Sequence, residues 1–304
     1  MTNCCSTGAL AKLSIAGTRM DFIEFTPQIV KALSDGSEKA IRGTLDHQKN
    51  SATEGLLHVK FKISFFMTAL KNDVLLPLLG MAESPTDTFT LGDTHPTATI
   101  VLGPNGNAEQ TYTEALCTKW VVTGTRGGDP VRLDTWWTAK TITEAAAGTT
   151  FISQTNPALI EGFAYSFLHG TAIFAGETRK FYNFSLGADY REVVEYLNNT
   201  TASSVCVSDH ALSFSCGVLW DICSGNEELW TSPLSGDTTG SQLTLSFSRT
   251  VGAATYSTTF VVANFKLIAR PPRIVKNDLA RLSVHGVGFA DSSTPMLVVT
   301  NDAT

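Results

Sequence analysis

Residues Thr111 to Asp134 read TYTEALCTKWVVTGTRGGDPVRLD, and residues Thr255 to Asp278 read TYSTTFVVANFKLIARPPRIVKND. Displaced by 144 residues without a gap, Thr111, Tyr112, Arg126, Val131 and Asp134 fall on Thr255, Tyr256, Arg270, Val275 and Asp278. Arg132 falls on Lys276 and Leu116 on Phe260. Each copy is a long apolar run broken by a tight turn, Gly127-Gly128-Asp129-Pro130 in the first and Pro271-Pro272 in the second. Glycine supplies positive φ and proline pre-sets φ, so both are turns with a physical cause. An alternating stretch precedes each copy. Thr97 to Leu102 (TATIVL) leads into Gly103-Pro104-Asn105-Gly106, and Gln242 to Phe247 (QLTLSF) leads into Arg249 to Ala253. Each unit reads as strand, turn, long strand, turn, strand, which is an antiparallel meander.

A fainter repeat sets LSIAGTRMDFIEF (Leu13 to Phe25) against FSLGADYREVVEY (Phe184 to Tyr196), displaced by 171 residues. The chain therefore reads as mainly β, with two related β domains in tandem. The first domain takes residues 1–145 with an N-terminal arm, residues 146–180 form a linker or insertion, and the second domain takes 181–304. A length of 304 residues suits two domains of ordinary size.

Composition narrows the function. Charged residues are only 16% of the chain and the formal net charge is −6, which argues against a protein that grips nucleic acid by its phosphates. The low charge fits a surface covered by neighbouring subunits or a Thr/Ser-rich β surface. The cysteines, Cys4, Cys5, Cys117, Cys206, Cys216 and Cys223, contain no C-x-x-C and read as reduced, intracellular thiols. No basic region followed by a long apolar run opens the chain, so no secretory signal is expected. No stretch reaches the ~18 apolar residues of a membrane helix.

Between the repeats the pattern is also readable. Thr26-Pro27 should end the opening strand, with Gln28 to Lys39 a loop containing a helical turn. Asp46 to Gly55 is polar and reads as the tip of a long hairpin. Leu57, Val59, Phe61, Ile63 and Phe65 then alternate with His58, Lys60, Lys62 and Ser64, the signature of a half-buried strand. Thr68 caps a helix over Ala69 to Leu79, with Leu70, Val74, Leu75, Leu78 and Leu79 as its apolar face and Gly80 as its stop. In the second half Leu197 to Asp209 is the matching polar tip, Leu212, Phe214 and Cys216 the matching strand, and Asp221 to Trp230 takes the helix's place. Phe163 to Phe174 reads as an extra strand without a counterpart, and Met296 to Thr300 closes the chain.

A search for chemistry returns little. There is no nucleophile elbow, Walker loop, dinucleotide fingerprint or zinc spacing, so no catalytic, cofactor-binding or metal-binding residue is assigned. Asp209-His210 and Asp46-His47 read as solvated pairs, since neighbours on a strand face opposite sides. Trp136-Trp137 should place one ring in the core and the other at a surface. Arg270, Arg273 and Lys276 read as a solvated or inter-subunit cluster.

In order along the chain stand R-G-T-L-D-H (Arg42 to His47), L-L-P-L-L-G (Leu75 to Gly80), Y-T-E-A-L-C (Tyr112 to Cys117) and G-G-D-P (Gly127 to Pro130). Ala269 to Arg273 and Leu297 to Asp302 end a similar second unit. This order resembles the tail tube proteins of long-tailed bacteriophages. The resemblance implies two tandem antiparallel β-sandwich domains, each flanked by a short helix, in a virion protein that is assembled in the host cytoplasm and whose packed sheets join side by side around a central channel that conducts the genome. With two domains per chain, it implies homotrimeric, pseudo-hexameric rings stacked into a filament. Ring-stacking loops would be Asp46, His47, Gln48, Lys49 and Asn50 in one domain and Asn198, Asn199, Thr200 and Asp209 in the other. Implied partners are further copies of the chain and tape-measure, tail terminator and baseplate proteins, with DNA passing an acidic lumen without specific binding. Two other classes compete: a distal-tail or baseplate hub making single rings, and a carbohydrate-binding tandem β-sandwich exposing Trp136, Trp137 and Trp230.

Overall fold

A computed structural model describes residues 11–35, 52–103, 108–146, 159–160, 162–196, 202–219, 241–268 and 281–303. The fold is mainly β and, apart from one short parallel contact, antiparallel. The strands are β1 (Lys12–Ile15), β2 (Thr18–Met20), β3 (Glu24–Asp35), β4 (Ala52–Phe66), β5 (Met81–Glu83), β6 (Thr88–Leu91), β7 (Ala98–Gly103), β8 (Glu109–Thr125), β9 (Arg132–Ala139) and β10 (Thr141–Ala145). They continue with β11 (Leu159–Ile160), β12 (Gly170–Phe174), β13 (Glu177–Arg179), β14 (Phe181–Glu195), β15 (Ser204–Leu219), β16 (Ser241–Val251), β17 (Ala254–Ile268), β18 (Arg281–Phe289) and β19 (Val298–Asp302). Helix α1 spans Ala69–Leu78.

The repeated stretch becomes the two pivotal strands, β8 and β17. The N-terminal part of β8 lies between β7 and β10, and its C-terminal part between β9 and β14. β17 lies between β16 on one side and β19 and β18 on the other. The order β3-β4-β9-β8 recurs as β14-β15-β18-β17, and the two runs join through β8 and β14 into one eight-stranded antiparallel sheet.

The opening of each half corrects the fainter sequence repeat. The hairpin β1–β2, which pairs with β7, matches β12–β13, which pairs with β16. Both hairpins turn on Ala-Gly: Ala16 and Gly17 have φ of 49° and 79°, Ala175 and Gly176 have 53° and 81°. Two successive positive φ values make the tight turn that suits the twist of a hairpin, and glycine takes the second at no steric cost. The counterpart of β14 is thus β3, and Phe22 and Phe25 match Phe181 and Phe184 at a displacement of 159 residues, not 171. The segment expected to be a linker contains β11 and the whole β12–β13 hairpin, so the second repeat opens before residue 181. Thr141 to Ala145, the end of the expected first domain, is β10.

Three local readings change as well. β3 runs straight through Pro27, where a strand end and a helical turn were expected. Proline is tolerated because β3 pairs only with β4 among the described residues, which leaves the missing N–H to face an open edge. The end of the polar stretch expected to be a hairpin tip is already strand, since β4 begins at Ala52, while residues 46–51 lie outside the described residues. In α1, Thr68 accepts a bond from the Lys71 N–H and Gly80 has φ 84°, as expected of its cap and stop. Its buried face is rotated, however: Lys71, Asn72 and Leu76 are buried, whereas Leu70 and Val74 are only half-buried. The position of Asp221 to Trp230 lies outside the described residues.

One continuous core runs from Leu13 to Val299. Odd residues of β4 (Val59, Phe61, Ile63, Phe65) and even residues of β15 (Leu212, Phe214) point into it. Leu75 and Leu76 of α1 and the hairpin residues Leu13, Ile15 and Met20 cover it. The other face of the eight-stranded sheet carries the polar members of the alternation.

Candidate assembly interface

The joint between the halves is a ladder of seven pairs, from Lys119–Asp189 to Thr125–Asn183. Gly187 makes close approach possible there. It faces Val121, and a Cβ at Gly187 would lie 2.5 Å from the Trp120 carbonyl oxygen. On the core side the Trp120 indole N–H donates to the Tyr190 hydroxyl (2.8 Å), which donates to the Leu79 carbonyl at the end of α1 (2.6 Å). Burial pushes the Tyr190 hydroxyl far above its ordinary pKa, so it stays a donor at any working pH.

The polar side of the joint is charged. Lys119 Nζ lies 2.8 Å from Asp189 Oδ2, and Lys60 of β4 meets Glu192 of β14, which also accepts from Thr138 of β9. Both ion pairs cross from one half to the other. Beside them Lys62 pairs with Asp134 (3.4 Å), and Arg132 pairs with Asp134 (2.6 Å) and Glu24 (2.9 Å). Bonds from Thr26 and Arg132 hold the Glu24 carboxyl below its ordinary pKa. The ring of Trp136 sits between Lys62 and Lys119, whose ammonium groups are 5.1 and 5.7 Å from its centroid. Glu24, Lys60, Lys62, Lys119, Trp136, Asp189 and Glu192 line a depression of about 520 Å³. Two residues from Lys60 along β4, His58 Nδ1 lies 2.7 Å from the Tyr196 hydroxyl. Desolvation, then Lys60, lowers the His58 pKa, opposed by Glu192.

A second contact between halves is polar and buried. Asn72 of α1 donates to Thr258 of β17 (3.0 Å), and Thr258 donates to Asn301 of β19 (2.7 Å). Asn301 donates to the Ala69 carbonyl (3.0 Å) and to Asp73. Nearby β6 adds to the edge of β19, so α1 and β6 of the first half are built onto the second.

Among the described residues the eight-stranded sheet ends in two edges. β3 has β4 on one side only. In β17, Lys266, Leu267 and Ile268 have β18 on one side, while β16 covers the other only as far as Phe265. Ile23, beside the first edge, and Ile268, on the second, are 40% and 52% exposed.

Of the residues assigned to ring stacking, Asp46, His47, Gln48, Lys49, Asn50, Asn198, Asn199 and Thr200 lie outside the described residues, as do Arg270, Arg273, Lys276 and Trp230. Asp209 is exposed, but it lies within β15, opposite Arg191, and not at the tip, which falls between Glu195 and Ser204. β15 begins at Ser204, inside the stretch expected to be loop, and the ladder bulges between Arg191 and Glu192, beside that pair. Trp137 is buried in the core and Trp136 lies on the polar face, as a split pair should. Sequence reasoning did not find Lys60, Lys119, Asp189 and Glu192 as partners. The alternation placed Lys60 on a polar face, but nothing in it named the strand alongside. No group of His, Cys, Asp and Glu among the described residues is arranged to hold a metal ion, and no helix there is long and apolar enough to cross a membrane.

No protein-family model matches the chain, and no curated protein matches it.

Proposed function

We propose that the chain is a structural protein that assembles edge to edge into closed rings, and that stacked rings form the tail tube of a bacteriophage. The observation that carries the assembly is the joint between β8 and β14. It is an example, inside one chain, of one half's sheet accepting the first long strand of the next half. β3 holds the same place in the first half that β14 holds in the second, and its outer edge has no partner strand among the described residues. The C-terminal end of β17 holds the place of the β8 segment that receives β14. A second copy offering β3 to that end repeats the internal joint. Such a contact is heterologous: it joins two different surfaces, so it either closes into a ring or runs on as a fibre. Closure removes both open edges, the usual solution to an exposed strand. Three chains supply six repeats, in keeping with the sequence resemblance to tail tube proteins.

Pro27 removes one donor from the β3 edge but leaves the N–H groups of Phe25 and Ile29 on the same side. Light scattering across a concentration series, with negative-stain electron microscopy, tests the reading. Hollow rings or filaments are expected. Single rings that never stack would move the assignment to a hub protein, and monomers at every concentration would refute self-assembly.

A further inference from the structure

Two hairpins project past the body of the eight-stranded sheet. The β4–β9 ladder ends at Val59–Ala139, so from His58 back to Ala52 β4 pairs only with β3 among the described residues. The β8–β14 ladder ends at Lys119–Asp189, and the part of β8 before it pairs with β7 and β10 instead. Beyond Asp189, β14 therefore pairs only with β15. A two-stranded hairpin is at best marginally stable by itself. Each arm also has an irregular register near its base, between Lys31 and Leu33 in one and between Arg191 and Glu192 in the other, where the ladder is interrupted. Side chains, not a ladder, join the arms. His58 Nδ1 lies 2.7 Å from the Tyr196 hydroxyl, and nearer the base Glu192 meets Lys60 and Thr138. These contacts belong to one chain and do not depend on assembly. In a ring closed as proposed above they lie on the polar face, toward the channel, since α1 and the β1–β2 and β12–β13 hairpins cover the other face.

We infer that His58 and Tyr196 form an acid-released latch between the two arms: neutral His58 holds them together, and protonated His58 lets them part. In the latched state the Tyr196 hydroxyl donates to Nδ1, and the ring proton sits on Nε2. Burial, then Glu192, raises the Tyr196 pKa, so the hydroxyl keeps its proton and the histidine is the group that titrates. A proton from solvent on Nδ1 removes the acceptor and leaves two N–H donors on the ring. The surrounding groups do not make up the loss. Lys60 on the same strand repels the new charge, and Glu192, which attracts it, is engaged by Lys60 and Thr138. On the flanking strands Val30 of β3 stands opposite His58, and Lys140, which follows β9, is paired with Glu114 (3.1 Å). Desolvation is the largest cause that lowers the His58 pKa below its ordinary 6.5, so the latched form binds a proton less readily than the open form. The latch is therefore fully present well above pH 6.5 and is lost as pH falls below that value. Opening bares the edge of β14 beyond Asp189, which has no partner strand among the described residues.

Hydrogen exchange read by mass spectrometry tests this on the full chain at pH 7.5 and 5.5, with rates corrected for the intrinsic pH dependence of exchange. At pH 5.5 a histidine of ordinary pKa 6.5 is protonated over neutral by about tenfold, which caps the effect. Peptides from the β14–β15 arm should lose about fivefold in protection at pH 5.5, while peptides from β16 and β17 change by less than about twofold. His58→Gln should remove the pH dependence, and Tyr196→Phe should lower arm protection equally at both pH values. Circular dichroism checks that each variant is folded. Equal arm protection in wild type at the two pH values overturns the inference, whether or not the variants fold. So does a folded His58→Gln that keeps the wild-type pH dependence. An equal loss in β16 and β17 overturns it too, since acid would then be loosening the whole chain and not the arms.

Discussion

Replacing Gly187 with valine should open the joint on which the account depends. The new Cβ would meet the Trp120 carbonyl oxygen at 2.5 Å, the Val121 Cγ2 at 2.9 Å and the Val121 Cα at 3.2 Å. Two of those atoms are backbone, so no rotamer change relieves the clash and the strands must part locally. Overpacking of this kind costs about 1–3 kcal/mol. Parting the strands at one position of the seven-pair ladder loses up to two hydrogen bonds, each worth about 1 kcal/mol. Together the loss is about 3 kcal/mol, which for a chain of this length lowers Tm by roughly 5 °C. Urea unfolding followed by tryptophan fluorescence measures it, since Trp120 lies in the joint. Ser185→Val, two residues along on the same face, is the control and should change stability by no more than about 0.5 kcal/mol. If Gly187→Val is as stable as that control, the halves are not held together by this close-packed ladder. Its value as a template for contacts between copies then falls too.

Three further outcomes are expected. Asn301→Ala removes the bonds to Thr258, Asp73 and the Ala69 carbonyl and should cost about 2–3 kcal/mol by urea unfolding, because it strands buried polar partners; a change under about 0.5 kcal/mol would contradict that role. Stability should fall as pH drops from neutral through the ordinary histidine value of 6.5: burial lowers the folded pKa of His58, His95 and His169, so the unfolded chain binds more protons there, and thermal melts from pH 7.5 to 5 would read the slope, which His95→Asn should reduce. Ile29→Pro should leave the β3–β4 ladder intact, as Pro27 does, while removing another outward N–H; folded monomers with assembly weakened at least about tenfold are expected, and unimpaired assembly would count against β3 as the docking edge.

The repeated stretch made the two long strands legible, because an apolar run ended by Gly-Gly-Asp-Pro or Pro-Pro has few other readings. The strand of β4 was equally plain from strict alternation, and α1 from its threonine cap. Other features were hidden for physical reasons. Pro27 signals a strand end unless the strand has an open edge, and an open edge is a property of the sheet, not of the local sequence. The Ala-Gly hairpins were hidden by a competing alignment of similar residues that set Leu13 against Phe184. The buried face of α1 was misread because Asn72 and Lys71 are polar. Asn72 is buried against Thr258 and Asn301, and Lys71 reaches Asp21 at 2.7 Å. The cross-half ion pairs join residues more than a hundred positions apart or on strands whose adjacency only the fold creates, so no spacing rule could list them.

The central claim is that β3 of one copy continues the sheet of another as β14 continues that of β8. A cryo-electron microscopy reconstruction of assembled protein, at a resolution that separates strands, tests it directly. The account predicts β3 hydrogen-bonded to the C-terminal end of β17 of the neighbouring copy, with Lys60, Lys119 and Trp136 facing the channel. A ring whose copies meet through other surfaces, with the edge of β3 left open, would contradict it.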